Sequence, residues 1–336
     1  MFQQRSQLTM KTRVTEIFGI DYPIVQGGLA YLAYAELAAA VSNAGGLGQI
    51  TAATLGTPEK LREEIRKVRT LTDKPFGVNF AIAKHDNGGK YQELLEVAIQ
   101  EKVPAVSLTG GNPQPVFERI KGEDIRTLVL TAGVRQAQKA EKLGADAVMV
   151  VGQEGGGHLG REDIGTMVLT PRVVDSVSIP VLASGGIGDG RGLLAALALG
   201  AEGIEMGTRF IATRECVDAN EKYKQAIVHA KETDTVVIKR TLGAPGRVIK
   251  NEFALNIIER EQEGAAYEDL KDVISGKANR TYIYDGKEEE GYGWAGQVIG
   301  LIESVPTVQE LFDEIIQTAE KGRNRIENIM QRQADN

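Results

Sequence analysis

The chain has 336 residues, 42% of them hydrophobic and 25% charged, with a formal charge of −7 at pH 7 and an isoelectric point near 5.3. That acidic balance, with no cluster of Lys and Arg, argues against a nucleic-acid partner, which would be held by neutralising its phosphates. A single cysteine, Cys216, excludes an internal disulfide, and with only three histidines (His85, His158 and His229) a structural zinc site lacks ligands, so no metal and a cytoplasmic setting are expected.

In chain order, Met1 to Thr9 is polar and lacks an apolar core, so it is expected to be neither leader nor anchor, and Met10 is the expected start of the ordered part. No run of about 18 apolar residues occurs, so no membrane partner is expected. Three short apolar runs are entered through a proline at Pro23, Pro75 and Pro180, a residue tolerated at the start of a strand. The pattern predicts eight strands: Pro23–Gln26, Gly48–Thr51, Phe76–Phe80, Ala105–Leu108, Thr127–Thr131, Ala147–Val151, Val181–Ser184 and Gly203–Met206.

Helices are predicted between them. From Pro58 to Arg69, Thr57 can cap, Pro58 suits the first helical position, and Leu61, Ile65 and Val68 share one face. Leu143-Gly144-Ala145 and Leu199-Gly200-Ala201 each read as a helix end, a glycine past it, and then a strand. Eight buried strands alternating with helices predict an α/β fold, the parallel (β/α)8 TIM barrel, over 10–213. From Arg214 the chain becomes more charged and helical, as in Asn220 to Lys231 and Val308 to Met330, so 214–336 is expected to hold a helical cap and the barrel-closing helices. Gly286 to Gly296, rich in Glu and Gly, is expected to be a mobile loop.

Barrels of this kind hold their sites at the C-terminal strand ends, and phosphate is often bound after the seventh and eighth strands. Glycine, at 39 residues, gathers there, as Ser184-Gly185-Gly186-Ile187-Gly188 and Glu205-Met206-Gly207-Thr208. Bare amides with the Thr208 hydroxyl would suit a phosphate, whereas simple tight turning is the bland alternative. After the sixth strand, ending at Val151, comes Gly155-Gly156-Gly157-His158, which places a histidine able to exchange a proton near neutral pH. His158 is therefore the candidate catalytic residue, while His85 and His229 lie in polar surroundings and read as surface residues. Asn79 and Gln26-Gly27-Gly28 end the third and first strands, where an amide and bare backbone could meet a flat ring.

These segments, with Ala295-Gly296-Gln297 and Met206-Gly207-Thr208-Arg209-Phe210, make the chain resemble the nitronate monooxygenase (2-nitropropane dioxygenase) family, which includes flavin-dependent enoyl-acyl-carrier-protein reductase II and NADH:quinone reductases. The resemblance runs from about Lys11 to beyond Gly300. It implies FMN, with phosphate at Gly185, Gly186, Gly207 and Thr208, Asn79 and Gly156 near the flavin, Gly27 and Gln297 flanking the ring, and His158 catalytic. Gln26, Gly28, Val151, Gly157, Ser184, Glu205 and Met206 complete the expected cofactor-binding set.

Where many nitronate monooxygenases read Gln-Ala-Pro-Met, this chain has Gln26-Gly27-Gly28-Leu29, nearer the reductase branches, and Val151 stands where many carry glutamine. Two activities are therefore expected as alternatives: oxidation of an alkyl nitronate by O2 to a carbonyl compound and nitrite, or reduction of an enoyl thioester or quinone by NAD(P)H. Oriented amides and the cap's Lys239, Arg240 or Arg247 are available to favour developing negative charge. A phosphate-binding barrel without redox chemistry is the reading from another class. A homodimer stays open.

Overall fold

The computed structural model describes residues 10–82 and 90–331. Eleven strands occur in them: β1 Ile24–Gln26, β2 Gly48–Thr51, β3 Phe76–Ile82, β4 Ala105–Gly110, β5 Arg126–Thr131, β6 Ala147–Val151, β7 Gly157–His158, β8 Val181–Ser184, β9 Gly203–Met206, β10 Thr235–Ile238 and β11 Gly246–Ile249. Eight form one parallel sheet in the order β1-β9-β8-β6-β5-β4-β3-β2. A parallel bridge between Val25 and Leu47 joins β1 to β2, so the sheet closes into a TIM barrel. Residues on both faces of β1, β2, β6 and β8 are buried, which is why these strands read as continuous apolar runs and not as alternating ones.

The helices between strands follow from local chemistry. Thr57 accepts the Lys60 N–H at the start of Pro58–Leu71, and Leu61, Ile65 and Val68 are buried on the inner face. Gly144, at φ 95°, ends the helix Val134–Leu143 in the left-handed region, and Gly200, at φ 88°, turns the chain into β9 in the same way. The helix Val308–Gln331 lays Leu311, Phe312, Ile315, Ile316 and Ala319 against the barrel wall. There the helix Gly190–Ala198 approaches so closely that a Cβ on Gly190 would meet the Ala319 N–H at a distance too short for any side chain.

The cap contains the expected helices and one element that the sequence did not suggest. Besides the helices Glu221–His229, Glu252–Gln262 and Gly276–Asp285, it carries a three-stranded antiparallel sheet in the order β10-β11-β7. Val236 and Val248 in this sheet are β-branched and pack with Ile238, Ala254, Ile257 and Tyr292 in a small core of their own. The expected mobile loop at Gly286 to Gly296 is corrected: Tyr292 and Ala295 are buried, and Trp294 bridges to Val248 of β11. Only its charged first half, Lys287 to Glu290, is exposed, so composition described half of the segment. Met1 to Thr9 and His85 lie outside the described residues. Among the described residues no helix is long and apolar enough to cross a membrane.

Candidate active site

A cavity of about 210 Å3 opens at the C-terminal strand ends, beneath the cap. Its floor is built by backbone: Gly27 and Gly28 after β1, Gly185 and Gly186 after β8, and Gly207 after β9. Gly185 and Gly186 have φ of 92° and 74°, a backbone path that L side chains rarely take. The amides of Gly185, Gly186, Gly207 and Thr208 have no acceptor among the described residues. Partly buried N–H groups are ordinarily paired, so four unpaired donors lining one cavity suit an anion. The Thr208 hydroxyl accepts the Gly296 N–H at 2.9 Å, which leaves its own proton for a further acceptor.

One wall comes from the loop after β6. Glu154 accepts from the Thr166 N–H at 2.9 Å and hydroxyl at 3.0 Å, which ties down the glycine run that follows. Gly156 then lies so close to the next segment that a Cβ on it would fall 2.6 Å from the Gly296 nitrogen. Arg247 donates to the Gln153 carbonyl through Nε at 3.1 Å and Nη2 at 2.9 Å, clamping the start of the same loop to β11.

His158, on β7, pairs in register with Gly246 and lines the cavity together with Trp294. Their rings stand 5.1 Å apart between centroids. His158 is exposed where its ring lines the cavity, yet enough protein surrounds the imidazole to disfavour its charged form. Its Nε2 meets the Nζ of Lys239 at 3.1 Å. Burial first, and the Lys239 charge second, bring the His158 pKa down to about 4, so the imidazole is neutral at pH 7. Burial also lowers the Lys239 pKa to about 8 against the pull of Glu261, leaving it mostly an ammonium at pH 7.

Across the floor, Glu205 forms a short hydrogen bond with the Ser184 hydroxyl, and burial raises its pKa above the usual carboxylate range. That wall therefore adds a polar group with less negative charge than an exposed carboxylate would carry.

Of the expected residues, Gly27, Gly28, Val151, Gly156, Gly157 and His158 line the cavity, as do Ser184, Gly185, Gly186, Glu205, Met206, Gly207 and Thr208. Three do not. The Gln26 amide is used inside the barrel, donating to the Gly27 carbonyl and accepting the Gln49 N–H at 2.9 Å. Asn79, 2% exposed, donates to the Ser107 hydroxyl at 2.9 Å and packs under Gly28, so it supports the floor from below. Gln297 is exposed at the start of a 3-10 turn, with its N–H on the Glu154 carbonyl, while its neighbours Gly296 and Val298 reach the cavity.

Among the three cap cations, Arg240 pairs with Asp163 at 3.0 Å and Arg247 holds the Gln153 carbonyl; only Lys239 reaches His158. Glu261 was not foreseen. It orients Lys239 from a helix 22 residues further along the chain, and no local motif marks it.

A family model described as nitronate monooxygenase matches residues 11–318. The chain belongs to the nitronate monooxygenase family. It is 34% identical to a probable nitronate monooxygenase of Staphylococcus saprophyticus, over 95% of this chain and 100% of that protein. Among solved structures of this family's fold, FabK from Thermotoga maritima superposes with a TM-score of 0.89 at 39% identity, covering 96% of this chain and 100% of its own. The nitroalkane oxidase of Streptomyces ansochromogenes superposes at 0.80 with 28% identity, covering 94% and 100%. As a member of the nitronate monooxygenase family, the chain is an oxidoreductase enzyme on a TIM barrel.

Proposed function

We propose that the chain is an FMN-dependent oxidoreductase that converts alkyl nitronates and O2 into carbonyl compounds and nitrite. The observation that carries this reading is the cation behind the cavity-lining histidine: a neutral His158 backed by the Lys239 ammonium suits a substrate that arrives as an anion. The unpaired amides of Gly185, Gly186, Gly207 and Thr208, with the Thr208 hydroxyl, fit the phosphate of FMN. Gly27, Gly28, Gly156 and Gly157 supply bare backbone that a flat ring can approach. FMN, when bound, supplies the electron carrier that side chains lack.

The protein's own contribution is binding, orientation and charge. Leu29, Met206, Ile211 and Trp294 make the cavity largely apolar and keep water from competing for the site. The His158 ring presents a hydrogen-bonding edge to the substrate, and Lys239 draws the anion towards it.

A second reading, reduction of an enoyl thioester or quinone by NAD(P)H, is favoured by Gln26-Gly27-Gly28-Leu29 and by the 39% identity to FabK. Anaerobic mixing of the FMN-loaded protein with alkyl nitronate, NADH and NADPH in parallel separates the two. Bleaching by nitronate alone supports the oxidase reading. Rapid bleaching by a nicotinamide, with none by nitronate, overturns it in favour of the reductase. Protein that takes up no FMN overturns both.

A further inference from the structure

We propose that Lys239 is a positioning residue that fixes the protonation and tautomer of His158, holding Nε2 as a hydrogen-bond acceptor so that the ring carries its proton on Nδ1. Three independent features of the cap converge on this. The first is the contact: Nζ lies 3.1 Å from Nε2, and an ammonium can only donate, so the ring nitrogen that meets it must be the one without hydrogen. The second is the backbone. Lys239 has φ 64°, in the left-handed region that glycine enters freely and lysine does not. A strained non-glycine residue persists where its surroundings over-determine it, and here its N–H is caught by the Glu261 carboxylate at 2.8 Å. The third is the side chain's path: Nζ sits 4.9 Å from the centroid of the Trp294 ring, whose face holds the cation beside the imidazole.

The charged groups packed around the pair are otherwise engaged. Glu261 also accepts from the Thr241 N–H and hydroxyl, Arg240 turns to Asp163, and Arg247 to the Gln153 carbonyl. Arg161 donates to the Gly243 carbonyl, and Glu154 accepts from Thr166. Among these groups, Lys239 alone meets the imidazole. With Nε2 so occupied, Nδ1–H is the donor that the cavity-lining ring can offer to a substrate atom gaining negative charge. As pH rises through the lysine's pKa of about 8, the neutral amine can accept as well as donate, and the tautomer preference relaxes.

The inference rests on the proposed function only for His158's place beside the substrate, and its test does not use turnover. Ring 15N spectra would be recorded on the purified full chain, with and without FMN. Three histidines keep the spectrum sparse, and His158→Gln assigns the signal. The expected result at pH 6.5 is a neutral His158 protonated on Nδ1. In Lys239→Met the tautomers should mix and the His158 pKa should rise by about one unit or more, since one like charge at hydrogen-bond range is removed. Lys239→Arg, which keeps a permanent donor, should keep the original spectrum. An Nε2–H ring in the unaltered protein overturns the proposal, even if Lys239→Met does not fold. So does a His158 whose tautomer and pKa are the same in Lys239→Met. Either result leaves nitronate oxidation standing, while a failure of the anaerobic reduction leaves the tautomer assignment standing.

Discussion

His158 is an unusual candidate for an acid, because burial and Lys239 hold its pKa at about 4. A group depressed in the fold stabilises it above its unfolded pKa, and that stability is lost as pH falls from about 6.5 towards 4. Its neutral state at pH 7 suits hydrogen bonding to a substrate anion better than protonating one. His158→Ala should therefore retain FMN but reduce kcat by about 10²–10⁴-fold, the usual worth of a positioned proton-exchanging group. Unchanged turnover would remove His158 from the mechanism. Glu205 behaves in the opposite sense. Its pKa is raised, so its contribution is full below the unfolded value and is lost as pH rises through the folded one. In FMN-free protein, Glu205→Gln should keep the bond with Ser184 and raise Tm at pH 8 by about 1–2 °C, with the gain vanishing at pH 4. A Tm difference independent of pH would refute the raised pKa.

At the scale of elements, the site depends on β7 and β11, which tie a barrel loop to the cap. Gly246 sits opposite His158, and a Cβ there would fall 2.6 Å from the Trp294 ring. Gly246→Val should push Trp294 from its place beside His158, lowering kcat/KM by about 10-fold or more while the barrel still folds. Near-normal kcat/KM in that variant would show that the register of β7 does not position the histidine. At the start of the helix that follows the Gly185-Gly186 loop, Gly190→Ala would drive a methyl into the backbone near Ala319. Overpacking against backbone typically costs about 1–3 kcal/mol, so a lower Tm with unchanged FMN affinity is expected from thermal melts and flavin titration.

At the scale of the whole molecule, cap and barrel share a core. Tyr223, Ile249 and Tyr282 of the cap pack in one cluster with Ile24, Ile204 and Phe210 of the barrel. Such continuity predicts one cooperative transition. Trp294 is the only tryptophan and lies in the cap segment, so its emission reports that region, while far-UV circular dichroism reports mainly the helices around the barrel. The two melts should coincide, and a tryptophan transition well below the dichroic one would show that the cap opens separately.

The barrel was legible in the sequence because its information is local: prolines enter strands, Gly144 and Gly200 end helices, and fully buried strands read as apolar runs. The glycine floor was legible for the same reason, since backbone that must meet a ligand is written as glycine at fixed strand ends. The antiparallel cap sheet was not. Its strands are four residues or shorter, and β7 holds only two, too few for any periodic signal. Sequence also named Lys239, Arg240 and Arg247 without ranking them, because which cation reaches His158 depends on how a hairpin crosses a loop some 80 positions earlier in the chain. Residue types and turn chemistry set the scaffold and its glycine floor; the charge state of the His158 ring depends on surroundings and long-range contacts that exist only in the folded chain.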